Sequence, residues 1–122
     1  MSIGIQFISG ILETTTPVVN LTKSRNGNTG TATFVFCNPT TFREWDNSIY
    51  PMKPLEGMYF SWDGKEELAT KDVTVIYNKG QPFLIRSICI FKNPANWYRF
   101  LKFMDTYSKE RGLYFAEEQP FF

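Results

Sequence analysis

Residues 18–36, VVNLTKSRNGNTGTATFVF, constrain this chain more than any other stretch. Two runs of strand-forming residues flank the cluster Asn26-Gly27-Asn28-Thr29-Gly30. Asn-Gly between such runs is a strong hairpin signal, because both residues tolerate the positive φ of the favoured turns. Alternation puts Val19, Leu21, Lys23 and Arg25 on one face of the incoming arm. On the outgoing arm Ala32, Phe34 and Phe36 share a face, with Thr31, Thr33 and Val35 opposite. The expected hairpin is apolar at its base and polar at its tip. Lys23 and Arg25 read either as solvated charges that protect a sheet edge or as a docking arm for a protein partner.

A chain of 122 residues is expected to form one domain, residues 1–122, around a single core. Hydrophobic residues make up 43% and charged residues 20%, which suits a folded soluble protein. The aromatic share of 17% is high, so some rings are expected near the surface, where they suit protein contacts. A net charge of +1 lacks the cationic surplus that drives phosphate-backbone binding. Cys37 and Cys89 each fall in or at the end of an apolar run and read as buried free thiols of a reducing compartment. Without histidine they cannot complete a typical four-ligand zinc site. No apolar run approaches bilayer length, and the N-terminal segment reads as a strand rather than a signal or transit peptide.

Ile3, Ile5 and Phe7 alternate as a first strand, and a Thr-rich connection occupies residues 13–17. The stretch 38–54 holds Pro39, Pro51 and Pro54 beside Phe42, Trp45 and Tyr50, and reads as a long loop with a short helical turn near 41–46. A strand over 56–62 places Met58, Phe60 and Trp62 on one face, and Asp63-Gly64 turns it into a strand over 68–77. Asn78-Lys79-Gly80 turns the chain again, into the longest strand, 82–92. That strand is apolar on both faces (Leu84, Ile88 and Ile90 against Phe83, Ile85, Cys89 and Phe91), which predicts a central strand covered on each side.

A helix follows over about 94–111. Asn93 is placed to cap it, Pro94 suits its first turn, Gly112 stops it, and Lys109 and Arg111 face its negative end. Trp97, Phe100, Leu101, Met104 and Tyr107 form the expected buried stripe, with Tyr98 and Phe103 at its borders. Leu113, Tyr114 and Phe115 are placed to pack back on the sheet. At the far end of the tail, 113–122, Phe121-Phe122 after Pro120 form an exposed apolar end that reads as frayed or partner-inserting. The expected class is α+β: an antiparallel, hairpin-rich sheet of about five or six strands with one long C-terminal helix packed on it.

Little here suggests chemistry. The absence of histidine excludes Ser-His and Cys-His nucleophile arrangements and the commonest metal ligand. Glu66-Glu67 and Glu117-Glu118 are adjacent pairs rather than carboxylates converging on a cleft, and no phosphate-cradling glycine pattern occurs. A binding protein is the reading, with no enzyme activity, cofactor or metal. Contact residues are expected at Lys23, Arg25, Asn26, Thr31 and Thr33, and secondarily at Arg99 and Lys102. A partner's extended segment would add to the sheet as a strand, flanked by Thr31 and Thr33. The alternative is a small single-stranded nucleic-acid-binding domain, which needs exposed rings on a sheet face. A third option is an enzyme of unfamiliar type, marked by a cleft with shifted carboxylate or lysine pKa values.

The run from Leu21 to Phe34 resembles the signature of the Psb28 family of photosystem II accessory proteins. Further similar segments follow in order: Asn38-Pro39, Gly57-Met58-Tyr59, Thr70-Lys71-Asp72-Val73, Asn78-Lys79-Gly80-Gln81-Pro82, residues 97–104 (WYRFLKFM) and Gly112-Leu113. Together they span about residues 5–115. The 38–54 stretch is longer and more aromatic than the family pattern, which points to a divergent branch. The resemblance implies a non-catalytic protein without cofactor, peripheral to the thylakoid membrane on its cytoplasmic or stromal side through protein contacts. Its implied partners are the inner-antenna chlorophyll protein and reaction-centre core subunits of immature photosystem II. It implies no nucleic-acid partner, and a monomer or weak dimer.

Overall fold

A computed structural model describes residues 3–8, 10–42, 55–63, 65–112 and 116–118. Among these, nine strands form two sheets with one long helix. The strands are β1 (Ile3–Ile8), β2 (Ile11–Leu12), β3 (Val18–Lys23), β4 (Gly30–Cys37), β5 (Met58–Trp62), β6 (Lys65–Thr70), β7 (Val73–Asn78), β8 (Gln81–Phe91) and β9 (Ala116–Glu118); the helix, α1, is Pro94–Arg111. One sheet has the order β2-β1-β5-β6 and the other β7-β8-β4-β3-β9. All pairs are antiparallel except β3 with β9.

The α+β class is as the sequence implies, but the strands exceed five or six and divide between two sheets. The expected strand over 68–77 is broken at Lys71-Asp72, where the chain passes from β6 in one sheet to β7 in the other. Thr70 Oγ1 donates to Ile88 O at 2.7 Å, and Ile88 N donates to Asp72 O at 3.0 Å, so β8 holds this crossing.

The two sheets and α1 share one core. Phe34 from β4 meets Phe60 from β5 with ring centroids 5.5 Å apart, and Phe100 of α1 reaches both, at 6.1 and 5.6 Å. Edge-to-face pairs of this kind add to the area that the rings bury. Asn93 Oδ1 accepts from Ala95 N (2.8 Å) and Asn96 N (3.3 Å), and Gly112 ends the helix in the left-handed region at φ 63°. The buried stripe is Trp97, Phe100, Phe103, Met104 and Tyr107. Phe103 therefore belongs to the core rather than its border, because it packs on Phe60 and Trp62 of one sheet as well as on Tyr107. Leu101 is only half-buried.

Two further expectations change. β8 is central, between β7 and β4, yet only one of its faces is covered: Ile85, Ser87 and Cys89 are buried while Ile90 is 63% exposed. Cys37 is exposed, because it follows Thr33 and Val35 in alternation on the outer face of β4; Cys89 is buried and also free. In the long loop Thr40–Phe42 start a helical turn, and 43–54 lie outside the described residues, as do 113–115 and 119–122 of the tail.

Candidate partner-docking surface

The hairpin is built as its alternation demands. Val19 and Leu21 of β3, and Ala32, Phe34 and Phe36 of β4, are all buried. The strands end at the Lys23–Gly30 pair, leaving a six-residue loop rather than a two-residue Asn-Gly turn. Ser24 N donates to Thr29 O and Gly27 N to Ser24 O, each at 3.0 Å. Asn26 Oδ1 accepts from Ser24 Oγ at 2.7 Å and from Asn28 N at 2.9 Å, so Asn26 shapes the loop before it can serve a partner. Gly27 supplies the positive φ, 74°.

The tip is tied down from a distance. Trp97 Nε1 donates to Gly27 O at 3.2 Å, and a Cβ on Gly30 would lie 2.6 Å from the Trp97 ring and 2.7 Å from Thr22 O. Glycine at 30 is thus a requirement of the close approach between hairpin and helix. Arg25 and Asn26 are exposed on this braced tip, and Lys23 is half-buried at the strand end.

Thr31 and Thr33 lie on the outer face of the five-stranded sheet. Cross-strand register aligns Thr22, Thr31 and Ile90 in one row, Asn20, Thr33 and Ile88 in the next, and Val18, Val35 and Arg86 in a third. Val18 is 61% exposed, so the face mixes hydroxyls with apolar side chains. The sequence reading missed Val18 and Ile90; the signal was the two-sided apolarity of β8, taken as cover on both faces. These three rows carry no aromatic ring, whereas a single-stranded nucleic-acid binder stacks bases on rings exposed along its sheet face.

β4 lies between β8 and β3, so its backbone groups are spent and Thr31 and Thr33 cannot flank an added strand. The outer side of β3 is also occupied, by β9, which pairs Asn20, Leu21 and Thr22 with Ala116, Glu117 and Glu118. Strand addition would have to use an edge such as β7, the other end of this sheet. Arg99 and Lys102 stand elsewhere, on a cleft against β5 and β6 that none of the hairpin residues lines.

Among the described residues, the groups with displaced protonation are a thiol and a phenol. Burial, and secondarily the Asp72 carboxylate, push Cys89 up to about 12. Burial also pushes Tyr107 up to about 12, against the opposing pull of Arg111 and with a smaller push from Glu13. Both lie in the core rather than in a cleft, and each is neutral at physiological pH.

The profile of the Psb28 protein family matches residues 5–115. The chain belongs to the Psb28 family. It is 43% identical over 117 residues to the photosystem II reaction center Psb28 protein of Trieres chinensis, covering 96% of this chain and 98% of the relative. The same protein of Pyropia yezoensis is 41% identical over 113 residues (93% and 95%). That of Gloeothece citriformis is 36% identical over 113 residues (93% and 96%). The family-like segments have physical roles in this fold. Leu21–Phe34 is the hairpin, and a Cβ on Gly57 would lie 2.8 Å from Thr70 O. Lys79 and Gly80 form the β7–β8 turn, both with positive φ, and Trp97 braces the tip.

Proposed function

We propose that this chain is a non-catalytic photosystem II accessory factor that docks on assembly or repair intermediates at the inner antenna and reaction-centre core. The docking face would be the cytoplasmic or stromal side of the thylakoid membrane. Membership of the Psb28 family supports the photosystem II association, since its relatives are named as photosystem II reaction center proteins. No helix among the described residues is long and apolar enough to cross a membrane, which is consistent with attachment through protein contacts.

The observation that carries the docking mode is the braced hairpin tip. A loop held by its own hydrogen bonds and by Trp97 presents Arg25 and Asn26 with little conformational entropy left to lose on binding. Lys23 and Arg25 would meet acidic or carbonyl groups of the partner, with Asn26 beside them. Thr31 and Thr33 would contribute hydroxyls on the outer sheet face, and an extended partner segment would add at an open edge. Arg99 and Lys102 would make secondary contacts. The factor would act as a monomer or weak dimer, without cofactor.

The test is a tagged pull-down from solubilised thylakoid membranes, with identification of co-purifying subunits and their assembly state. Recovery of the inner-antenna protein with an incomplete core is expected. A preparation free of photosystem subunits would overturn the proposal.

A further inference from the structure

The helix leaves part of the four-stranded sheet uncovered. Phe60 is sealed by Phe100 and Phe103, and the Phe103 ring stands edge-on to Trp62 at 6.0 Å. Beyond that point the side chains that α1 offers are Arg99 and Lys102, which do not close over the sheet. The result is a cleft of about 230 Å³ lined, among the described residues, by Phe60, Trp62, Leu68, Phe103, Arg99 and Lys102.

Strand irregularity shapes this cleft. Phe60 pairs with Leu68 but Ser61 pairs with Glu66, so β6 carries one extra residue, 67, at a bulge. Bulges bend a strand and re-aim its side chains, and they recur beside binding sites. Trp62 and Leu68 are only half-buried, so they line the opening.

Neither charge has a carboxylate partner among the described residues. Lys102 Nζ stands 4.8 Å from the centre of the exposed Tyr98 ring, where its charge is held near the rim by a cation–π contact. The Arg99 guanidinium has no ion-pair or hydrogen-bond partner among the described residues. Two cations one helical turn apart over an aromatic and aliphatic floor are complementary to an apolar group bearing an anion.

We propose that this cleft binds a small amphiphilic anion: a single aromatic ring or short acyl group seated on Trp62, Leu68 and Phe103, with its carboxylate held by Arg99 and Lys102. The size fits, since a dry cavity of about 150 Å³ accommodates benzene. Ring burial supplies the affinity and the two cations the selectivity. A ligand of so few atoms binds in the millimolar range. The site is separate from the hairpin, and its occupancy is read on the isolated protein, so failure of hairpin docking and failure of this proposal are told apart.

The experiment titrates isotope-labelled full-length protein with 4-phenylbutyrate and, in parallel, with uncharged 4-phenylbutanol, followed by amide and indole chemical shifts. The carboxylate is expected to shift Trp62, Leu68 and Phe103 saturably. The alcohol is expected to shift the same residues with roughly ten-fold weaker affinity, the margin of two partly exposed ion pairs. The double substitution R99A/K102A should bring the carboxylate down to the level of the alcohol without weakening the alcohol. Leu68→Trp, which fills the cleft, should abolish both. Equal affinity of the two probes, an unchanged carboxylate affinity in the double variant, or shifts confined to other residues would each overturn the proposal. Should Leu68→Trp fail to fold, R99A/K102A, at two exposed positions of α1, still decides it.

Discussion

The indole N–H of Trp97 donates to the carbonyl of Gly27 across 3.2 Å, joining the first turns of the helix to the tip of a hairpin seventy residues earlier in the chain. The same ring lies over Gly30, so the helix braces the loop by a hydrogen bond and by contact at once. A polar hairpin that would otherwise sway at the end of two strands becomes a fixed part of the surface.

Trp97→Phe keeps most of the ring and removes the donor. It is expected to cost about 1 kcal/mol, the usual net value of one hydrogen bond, plus the smaller ring's lost packing. Gly30→Ala should cost more, about 1–3 kcal/mol, because a Cβ 2.6 Å from the Trp97 ring and 2.7 Å from a backbone oxygen forces a shift of the helix or the loop. Urea unfolding of both variants checks the order; a Gly30→Ala protein as stable as the parent would refute the bracing.

Glu13 has a second bracing role. Its carboxylate is fully buried and accepts from Thr40 N (2.7 Å), Thr41 N (2.8 Å) and Thr41 Oγ (2.6 Å), capping the helical turn that opens the long loop. Glu13→Gln puts an amide N–H₂ against one of these donors and is expected to destabilise by about 1–3 kcal/mol. Amide exchange at Thr40 and Thr41 should accelerate more than exchange in β8. Unchanged exchange at both would show that the turn holds without its cap.

These particulars mark where the sequence could be read and where it could not. α1 was legible to the residue, because Asn93, Pro94 and Gly112 act locally and their chemistry is short-range. The hairpin faces were legible because alternation fixes them. The break at Lys71-Asp72 was not, since Val73, Val75 and Tyr77 continue the alternation and only distant pairing decides which sheet a strand joins. Three residues, Ala116–Glu118, carry no strand signal of their own; β3 supplies the template. Glu13 looked like part of a polar connection because its partners lie 27 and 28 residues away. The cleft of Arg99 and Lys102 was beyond reach, since its floor comes from Trp62 and Leu68, brought there by the fold.

Alkaline pH should unfold the protein. The thiol of Cys89 is raised from 9.0 to about 12 and the phenol of Tyr107 from 10.0 to about 12. Each group keeps its proton in the folded state at pH values where the unfolded chain has lost it. Their contribution is therefore complete below pH 9 and drains away as pH rises toward 12. For Cys89 alone the loss is about 4 kcal/mol. Cys89→Ala should flatten the decline between pH 9 and 12 although it lowers stability at pH 7. At pH 8 a thiol reagent should label one cysteine per folded chain, at exposed Cys37, and two only after unfolding. Equal labelling of both in the native state would contradict the burial of Cys89.

Two buried hydroxyls, Tyr107 Oη and Ser87 Oγ, have no hydrogen-bond partner among the described residues. Tyr107→Phe and Ser87→Ala should therefore be neutral or stabilising by up to about 1 kcal/mol, against the usual direction of core substitutions. Tyr107→Phe keeps the stack on Phe103 and the Arg111 guanidinium over its ring. A loss above about 1 kcal/mol in either variant would mean that the hydroxyl has a partner in solution, an ordered water being the simplest.

The docking role of the hairpin has its own test. Reversing both charges, Lys23→Glu with Arg25→Glu, should weaken recovery of photosystem subunits in the pull-down while the protein still unfolds cooperatively on heating, since Arg25 is exposed and the core lies below the loop. Raising salt should weaken the parent's binding in the same direction, as expected for contacts between charged surfaces. Asn26→Ala should act differently, because it removes the acceptor for Ser24 and Asn28 and loosens the loop rather than its charge. If the doubly reversed protein bound normally while the Asn26→Ala protein did not, loop shape rather than charge would carry recognition. If both bound normally, the tip would not be the docking element, and the outer face around Ile90 and Thr33 would be the next surface to alter.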